Sequence, residues 1–180
     1  MAEALAFGSA VPGVLYTEML SFKHSKGRFT CRAVGVIIDR QRVLIHRDER
    51  YDFWALPGGR IEFGESAGDT LARELFEELG VTAEAGRLIW VVENFFTYEG
   101  EQFHEISFYF DVSLADDSPL RTYDEPFSGE DDGVPLIFEW HPIDRLEDVA
   151  LYPAFLRKMI ARMPQDTQHI VNRDGAETVS

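Results

Sequence analysis

The stretch GRIEFGESAGDTLARELFEELGV occupies residues 59–81 and decides how this chain folds. Its second half predicts a helix from Ser66 to Leu79, because apolar residues recur every four positions and would form one stripe. The residues of this stripe are Ala67, Leu71, Leu75 and Leu79. Gly80 follows directly, as is typical of a residue that ends a helix, and Val81 can close that end with an apolar contact.

Three glutamates give this helix an acidic face. Glu74 and Glu78 are four positions apart, so their carboxylates share one side of the helix, and Glu77 lies beside them. Like charges at this spacing repel each other by roughly a few tenths of a kcal/mol even when they are exposed. A divalent cation with oxygen ligands would offset this repulsion, and Arg73, four positions before Glu77, can pair with that residue. The simpler alternative is a solvated acidic helix face.

The residues before the helix are rich in glycine. Pro57, Gly58 and Gly59 stand together, and glycine lets the backbone approach a ligand closely and direct its carbonyl oxygens toward it. A carbonyl from this loop would complete the shell of a bound cation. Glu65, next to the helix N-terminus, is placed favourably against the helix dipole, and a role in the site is an equal alternative.

The spacing of the whole stretch is specific. It consists of Gly59, five residues, Glu65, seven residues, Arg73-Glu74-Leu75, one residue, Glu77-Glu78, one residue and Gly80-Val81. This pattern resembles the Nudix box with every signature position filled. The approach from Trp54 to Glu62 also resembles the usual lead-in of that family, and a less specific likeness extends over roughly residues 30–160.

The resemblance implies a fold and a reaction. The fold is α/β, a Nudix-type α/β/α sandwich around a mixed β-sheet. The reaction is hydrolysis of a nucleoside diphosphate linked to another moiety, with Mg²⁺ or Mn²⁺ as the cofactor. By position, Glu74 and Glu78 match metal ligands, and Glu77 matches a further ligand or a carboxylate that activates water. Arg73 matches the residue that orients the glutamates, and Gly58 matches a carbonyl ligand.

Residues outside the box are expected to complete the site. Nudix enzymes often recruit one more carboxylate as ligand or general base, and Glu105 is preferred over Glu93 for this role. For either residue, an outward-facing strand position is the alternative. Arg47 and Arg60 are the candidates for binding substrate, although a surface position is equally compatible with Arg47.

Beyond the box, alternating β-branched and apolar runs predict strands. The expected strands span residues 30–39, 42–46, 53–56, 87–98, 103–114 and 136–141. Further helices are expected over 144–149 and 154–163, and the acidic segment 115–135 is expected to be a long surface loop. The domain is expected to span residues 14–163, between a flexible arm of residues 1–13 and a flexible tail of residues 164–180.

Composition limits the possible partners. The chain has 180 residues, a formal net charge of −15 and 45% hydrophobic residues, which is typical of one soluble domain. A strongly acidic chain is a poor general binder of nucleic-acid polymers, because that affinity depends on Lys and Arg. There is no apolar run long enough for a membrane span. The single cysteine, Cys31, cannot form an internal disulfide, so a cytoplasmic location fits.

Three functions remain open at this stage. The complete box favours a metal-dependent pyrophosphohydrolase, whose substrate is a small nucleotide-derived diphosphate. A non-catalytic Nudix-fold module that binds a nucleotide is the first alternative, and an interaction protein that uses its acidic segment is the second. The sequence does not distinguish ADP-ribose, nucleotide sugars, dinucleoside polyphosphates and nucleoside triphosphates as substrates. It is compatible with a homodimer and does not determine the oligomeric state.

Overall fold

The computed structural model describes residues 19–131 and 133–173. Its strands are β1 (Ser21–His24), β2 (Gly27–Asp39), β3 (Arg42–Asp48), β4 (Gly58–Arg60), β5 (Ala85–Tyr98), β6 (Glu101–Val112), β7 (Phe127–Asp131), β8 (Val134–Pro142) and β9 (Gln168–Arg173). Its α-helices are α1 (Ala67–Leu79) and α2 (Leu156–Met159), and 3₁₀ turns occur at Pro119–Thr122, Ile143–Asp148 and Ile160–Arg162.

The strands form a mixed sheet with β2 at its centre. The order along the sheet is β7-β8-β3-β2-β6-β5-β9, and β1 and β4 also pair with β2. β2 runs parallel to β6, from Arg28 opposite Phe103 to Ile37 opposite Val112, and antiparallel to β1, β3 and β4. A strand of 13 residues is long enough to pair with a different partner along each part of its length.

Alternation along β2 produces a hydrophobic core on each face of the sheet. Ala33 and Ile37 point to one side, where they pack in a cluster with Leu71 and Leu75 of α1. Val34 and Val36 point to the other side, where the packed residues include Leu146, Leu156 and Ile160. The protein is therefore an α/β/α sandwich around a mixed sheet, as predicted.

The predicted helix over residues 66–79 is confirmed as α1. The Ser66 hydroxyl accepts a hydrogen bond from the Asp69 N–H at 3.2 Å and caps the N-terminus. Gly80 ends the helix in the left-handed conformation, with φ of 67° and its N–H bonded to the Phe76 carbonyl at 2.9 Å. Leu71 and Leu75 of the apolar stripe are fully buried.

The prediction that residues 115–135 form a loop was wrong. Arg121 donates to the Leu114 carbonyl at 2.8 Å, and the Trp140 indole donates to the Leu120 carbonyl at 2.8 Å, which holds the first half in place. The second half contains β7, where Phe127 stacks on Phe138 with ring centroids 5.6 Å apart. β7 carries one large apolar residue, Phe127, among serine, glycine and acidic residues, so composition alone indicated a loop.

The short strand predicted at residues 53–56 was also wrong. Trp54 and Ala55 form isolated bridges, and regular pairing begins only after Pro57, at Gly58. A Cβ on Gly58 would lie 2.2 Å from the Ala33 carbonyl oxygen, so only glycine allows this close approach of β4 to β2.

The C-terminal expectations need correction as well. The helices predicted at 144–149 and 154–163 are a 3₁₀ turn at Ile143–Asp148 and a short α2 followed by a 3₁₀ turn. Residues 168–173 of the predicted tail form β9, an edge strand parallel to β5. Residues 1–18 and 174–180 lie outside the described residues, and domain boundaries at 14 and 163 stay predictions.

Candidate active site

Arg73 links the acidic residues of the box. Its Nε and Nη2 donate to the two carboxylate oxygens of Glu65 at 2.8 and 3.0 Å. Its Nη1 donates to Glu74 Oε1 and to Glu77 Oε2, each at 3.0 Å. Arg73 also donates to the Arg60 carbonyl at 3.3 Å. One guanidinium therefore connects three carboxylates with the end of strand β4.

Glu65 serves as the main anchor of Arg73. Besides the paired bonds from Arg73, its carboxylate accepts from the Thr70 hydroxyl at 2.7 Å and from the Glu62 N–H at 3.2 Å. The hydrogen bonds from Arg73 are the main reason that the pKa of Glu65 falls to about 2. Glu65 is thus ionised and connects the segment before α1 to the helix, and both of its carboxylate oxygens accept hydrogen bonds.

Gly59 makes room for the Glu74 carboxylate. A Cβ at position 59 would lie 1.9 Å from Cδ and Oε1 of Glu74, so any other residue would displace this side chain. Glu74 is buried, with 7% of its surface exposed. Burial raises the pKa of Glu74, and the positive charge of Arg73 opposes that increase.

Glu78 is a buried carboxylate with an unsatisfied oxygen. It is 5% exposed, and its Oε2 has no hydrogen-bond partner among the described residues. Burial, followed by the negative charges of Glu74 and Asp131, raises the pKa of Glu78 to about 8. An acceptor in this state is costly unless a proton or a cation binds it.

The residue types fit a hard divalent cation, but the present arrangement is not a closed metal site. Carboxylate oxygens are the ligands that Mg²⁺ and Mn²⁺ prefer, and Glu78 has an unsatisfied one. Within residues 19–131 and 133–173, no three His, Cys, Asp or Glu side chains are grouped closely enough to hold a metal ion. Arg73 binds one oxygen of Glu74 and one of Glu77, so the second oxygen of each carboxylate is not engaged by Arg73.

Arg32 is a site residue that the sequence analysis missed. It lies on β2, and its Nη2 donates to the Gly58 carbonyl at 2.6 Å. This is the carbonyl proposed as a metal ligand, and a carbonyl oxygen has two lone pairs, so one hydrogen bond does not exclude a cation. The positive charge of Arg32 lowers the pKa of both Glu74 and Glu78, in opposition to burial. In the sequence, Arg32 stands out as a single arginine within the apolar run TCRAVGVIID, but that pattern does not show what its side chain contacts.

Asp131 is a second residue that the sequence analysis missed. It ends β7, and its negative charge raises the pKa of Glu74 and of Glu78. β7 packs closely on α1, since a Cβ at Gly129 would lie 2.6 Å from the Glu78 carbonyl oxygen. Because residues 115–135 were interpreted as a surface loop, Asp131 was not considered as a neighbour of the glutamates on α1.

A pocket of about 560 Å³ lies beside these residues. Its polar lining includes Arg32, Asn94 and Glu105, and its aromatic lining includes Phe53, Phe96, Tyr98, Tyr109 and Tyr152.

Glu105 is 8% exposed and accepts from the Ser107 hydroxyl at 2.8 Å. It shares its sheet face with Arg32, because Thr30, two residues before Arg32, is its partner on β2. Its competitor Glu93 instead bonds to His169 at 2.8 Å.

The two arginines proposed for substrate binding have different surroundings. Arg47 donates to the Tyr51 carbonyl at 2.9 Å and lies over the Trp54 ring at 5.4 Å, so it braces the segment after β3. Arg60 is directly opposite Arg32 in the β2–β4 pair. Burial, together with the positive charges of Arg32 and Arg28, lowers the pKa of Arg60. A substrate role stays a prediction for both.

Comparison with known proteins places these features in a family. A family model described as the NUDIX domain matches residues 30–163. The chain is 30% identical to an 8-oxo-(d)GTP phosphatase of Mycolicibacterium smegmatis over 164 residues, which is 81% of this chain and 46% of that protein. It is 38% identical to an RNA pyrophosphohydrolase of Ruthia magnifica over 73 residues, which is 39% of this chain and 41% of that protein.

A solved structure supports the fold. The crystal structure of an ADP-ribose pyrophosphatase from Streptococcus suis matches with a TM-score of 0.54 at 16% identity, over 79% of this chain and 98% of that one. The matched spans cover less than half the length of the two curated relatives. These two relatives and the solved structure are named for different substrates, so similarity does not select a substrate. None of the helices in the described residues has the length and hydropathy of a membrane span.

Proposed function

This chain belongs to the family of NUDIX-domain proteins, and we propose that it hydrolyses a phosphoanhydride bond with Mg²⁺ or Mn²⁺. The substrate is a nucleoside diphosphate linked to another moiety. The observation that carries this proposal is the buried Glu78 carboxylate, whose Oε2 has no hydrogen-bond partner among the described residues, beside the buried Glu74. A folded protein that keeps two such carboxylates together needs a cation or a proton between them.

Glu74, Glu78 and the Gly58 carbonyl would hold the cation, and Glu77 is a further candidate ligand. Members of this family generally use divalent metal ions. When bound, such an ion neutralises the diphosphate, lowers the pKa of a coordinated water and stabilises charge on the leaving phosphate. Without a cation, the acidic cluster would repel an anionic substrate.

The protein's own residues supply positioning and proton transfer. Glu77 is the better exposed carboxylate of the cluster, with 56% of its side chain accessible, so it is placed to accept a proton from water. Arg73 fixes the orientation of Glu74 and Glu77 through its two bonds. Glu105, in the adjoining pocket, is the alternative proton acceptor.

The pocket beside the cluster supports a nucleoside substrate. Its volume of about 560 Å³ lies in the range of small-molecule sites, roughly 300–1,000 Å³. Phe96 and Tyr98 supply aromatic faces for a base, and Arg32 supplies a positive charge for a phosphate, next to Gly58. Arg60 is a further phosphate contact, because it lies opposite Arg32 in the sheet.

A substrate panel tests this proposal. Full-length protein is incubated with Mg²⁺, with Mn²⁺ or with EDTA, and with ADP-ribose, a nucleotide sugar, a dinucleoside polyphosphate or nucleoside triphosphates. Chromatography of the products identifies the bond that is cleaved. We expect turnover of at least one class with metal and none with EDTA. Turnover that is unaffected by EDTA would contradict the metal assignment.

One observation favours a second candidate, a non-catalytic nucleotide-binding module. Arg73 occupies an oxygen of Glu74 and of Glu77, an arrangement that would also serve a purely structural cluster. This candidate predicts nucleotide binding in the same pocket without turnover in the panel. Calorimetric titration of the panel compounds against metal-loaded protein separates it from a protein that does not bind nucleotides.

We also propose a cytoplasmic location, on the basis of the single free thiol of Cys31. Cell fractionation with a tagged full-length chain tests this location. A homodimer is the proposed alternative to a monomer, and light scattering of the purified protein distinguishes the two.

A further inference from the structure

A basic groove of about 770 Å³ lies beside the active-site pocket, between the turn that joins β1 to β2 and the turn that joins β5 to β6. Its basic residues are Lys23, His24, Lys26, Arg28 and Arg60. Tyr98 lines both this groove and the pocket, so the two cavities adjoin each other.

The groove concentrates positive charge in a strongly acidic protein. The chain carries a net charge of −15 and has three lysines, of which Lys23 and Lys26 lie here and Lys158 lies on α2. The Lys23 side chain is 72% exposed, which leaves its ammonium group accessible to a ligand. Such local accumulation against the overall charge is a signature of an anion-binding surface.

Acidic residues neutralise only part of this charge. Glu101 pairs with both Lys23, at 3.3 Å, and Arg28, at 3.2 Å, so one carboxylate serves two cations. The other acidic residue of the groove, Glu99, accepts from the Tyr51 hydroxyl at 2.7 Å. Four formal positive charges from Lys and Arg thus face two negative ones among the lining residues.

The groove is continuous with the proposed catalytic centre. Arg28 and Arg32 are four residues apart on β2, so they share one face of the strand and are separated by roughly 13 Å. Arg28 lines the groove, whereas Arg32 lines the pocket and binds the Gly58 carbonyl. Arg60, opposite Arg32, belongs to the groove. Cationic side chains therefore extend from Gly58 to Lys23 on β1 and Lys26 in the β1–β2 turn.

We propose that this groove binds phosphoryl groups beyond the two that flank the cleaved bond, so that the substrate is a small polyphosphate compound. This inference rests on the proposed function, because it takes a phosphoanhydride bond to be cleaved beside the groove. A substrate with only two phosphates would occupy the pocket and leave the groove to water. A long nucleic acid fits less well, because the −15 charge of the molecule repels an extended phosphate backbone.

The direct test is calorimetric titration of the full-length protein with inorganic tripolyphosphate in EDTA. Without metal, the acidic cluster repels the probe, so binding reports the groove and does not depend on catalysis. We expect the double variant Lys23→Gln/Lys26→Gln to weaken binding at least about tenfold. The control Lys158→Gln, at an exposed lysine on α2, should bind like wild type. Absence of wild-type binding, or equal binding by the double variant, would overturn the proposal.

A kinetic comparison separates this proposal from the proposed function. With Mg²⁺, the double variant should lower kcat/KM for a nucleoside triphosphate or dinucleoside tetraphosphate by about tenfold and leave ADP-ribose hydrolysis unchanged. Equal losses on both substrate types would contradict a role for the groove. If wild type hydrolyses no compound of the substrate panel, the proposed function fails while the calorimetric result still decides the groove. Much tighter binding of a 5′-triphosphorylated RNA than of tripolyphosphate would overturn the small-molecule assignment.

Discussion

Arg73 determines the geometry of the acidic cluster. Its pair with Glu77 follows from their separation by four residues on a helix, and the sequence predicts it. Its stronger, two-point pair with Glu65 depends on how the loop folds back on α1, which spacing does not specify. Gly64, with φ of 88°, provides the conformation of that bend. The sequence therefore predicted the pair of Arg73 with Glu77 but not the pair of Arg73 with Glu65.

Gly59 should be intolerant of substitution because of its contact with Glu74. In Gly59→Ala, the new Cβ would occupy the position of the Glu74 carboxylate. We expect kcat to fall by about a hundredfold, as is typical of a catalytic group moved by roughly 1 Å. Gly68→Ala is the matched control, since its Cβ would make an ordinary contact of 3.5 Å with Ala85. Retention of full activity by Gly59→Ala would show that the position of Glu74 does not matter.

Glu78 should make the metal-free protein less stable as pH rises. Its pKa of about 8 in the folded state lies above the ordinary value of 4.5, so between these values the folded protein holds a proton that the unfolded chain has released. The free energy of unfolding therefore decreases as pH rises through this window, by as much as a few kcal/mol. Glu78→Gln should remove this dependence.

Urea unfolding of both proteins in EDTA at pH 5 and pH 8 measures the effect. Glu78→Gln should be more stable than wild type at pH 8, and the difference should shrink at pH 5. Parallel pH profiles for the two proteins would contradict an elevated pKa at Glu78.

Among the elements, local signals predicted α1 well and the polar edge strands β7 and β9 poorly. The cap at Ser66, the apolar stripe and Gly80 all lie within the helix or beside it, so the sequence specifies both ends. β7 and β9 are edge strands whose residues are mostly polar. β7 pairs with β8, which follows it directly in the chain, whereas β9 pairs with the distant β5. Polar composition therefore indicated a loop and a tail where the fold places sheet edges.

The contact between β7 and α1 can be tested at Gly129. A Cβ there would lie 2.5 Å from the Phe138 ring and 2.6 Å from the Glu78 carbonyl oxygen, so Gly129→Ala should push β7 away from the helix. We expect a loss of stability of about 1–3 kcal/mol, as for other overpacked positions. Gly68→Ala, within α1, should leave stability equal or higher. Urea unfolding monitored by circular dichroism gives both values, and an unchanged Gly129→Ala would contradict this packing.

At the scale of the molecule, the sheet brings together residues that are far apart in the chain. Arg32, Gly58, Glu105 and Asp131 come from four strands, and the parallel pairing of β2 with β6 determines which of them share a face. The box alone predicted the family and the α/β/α sandwich. Arg32 and Asp131 escaped prediction, because their nearness to Glu78 depends on strand order and register, which no local pattern encodes.

We propose that the buried carboxylates of α1 make this protein a metal-dependent hydrolase. The most direct measurement is kcat of wild type, Glu78→Gln and Glu84→Gln on the best substrate of the panel, at saturating Mg²⁺ or Mn²⁺. Glu84 is an exposed residue after α1 and serves as the matched control. We predict that Glu78→Gln lowers kcat by at least about a hundredfold and keeps its fold, while Glu84→Gln matches wild type. A folded Glu78→Gln with wild-type kcat would contradict the role of Glu78 as a metal ligand.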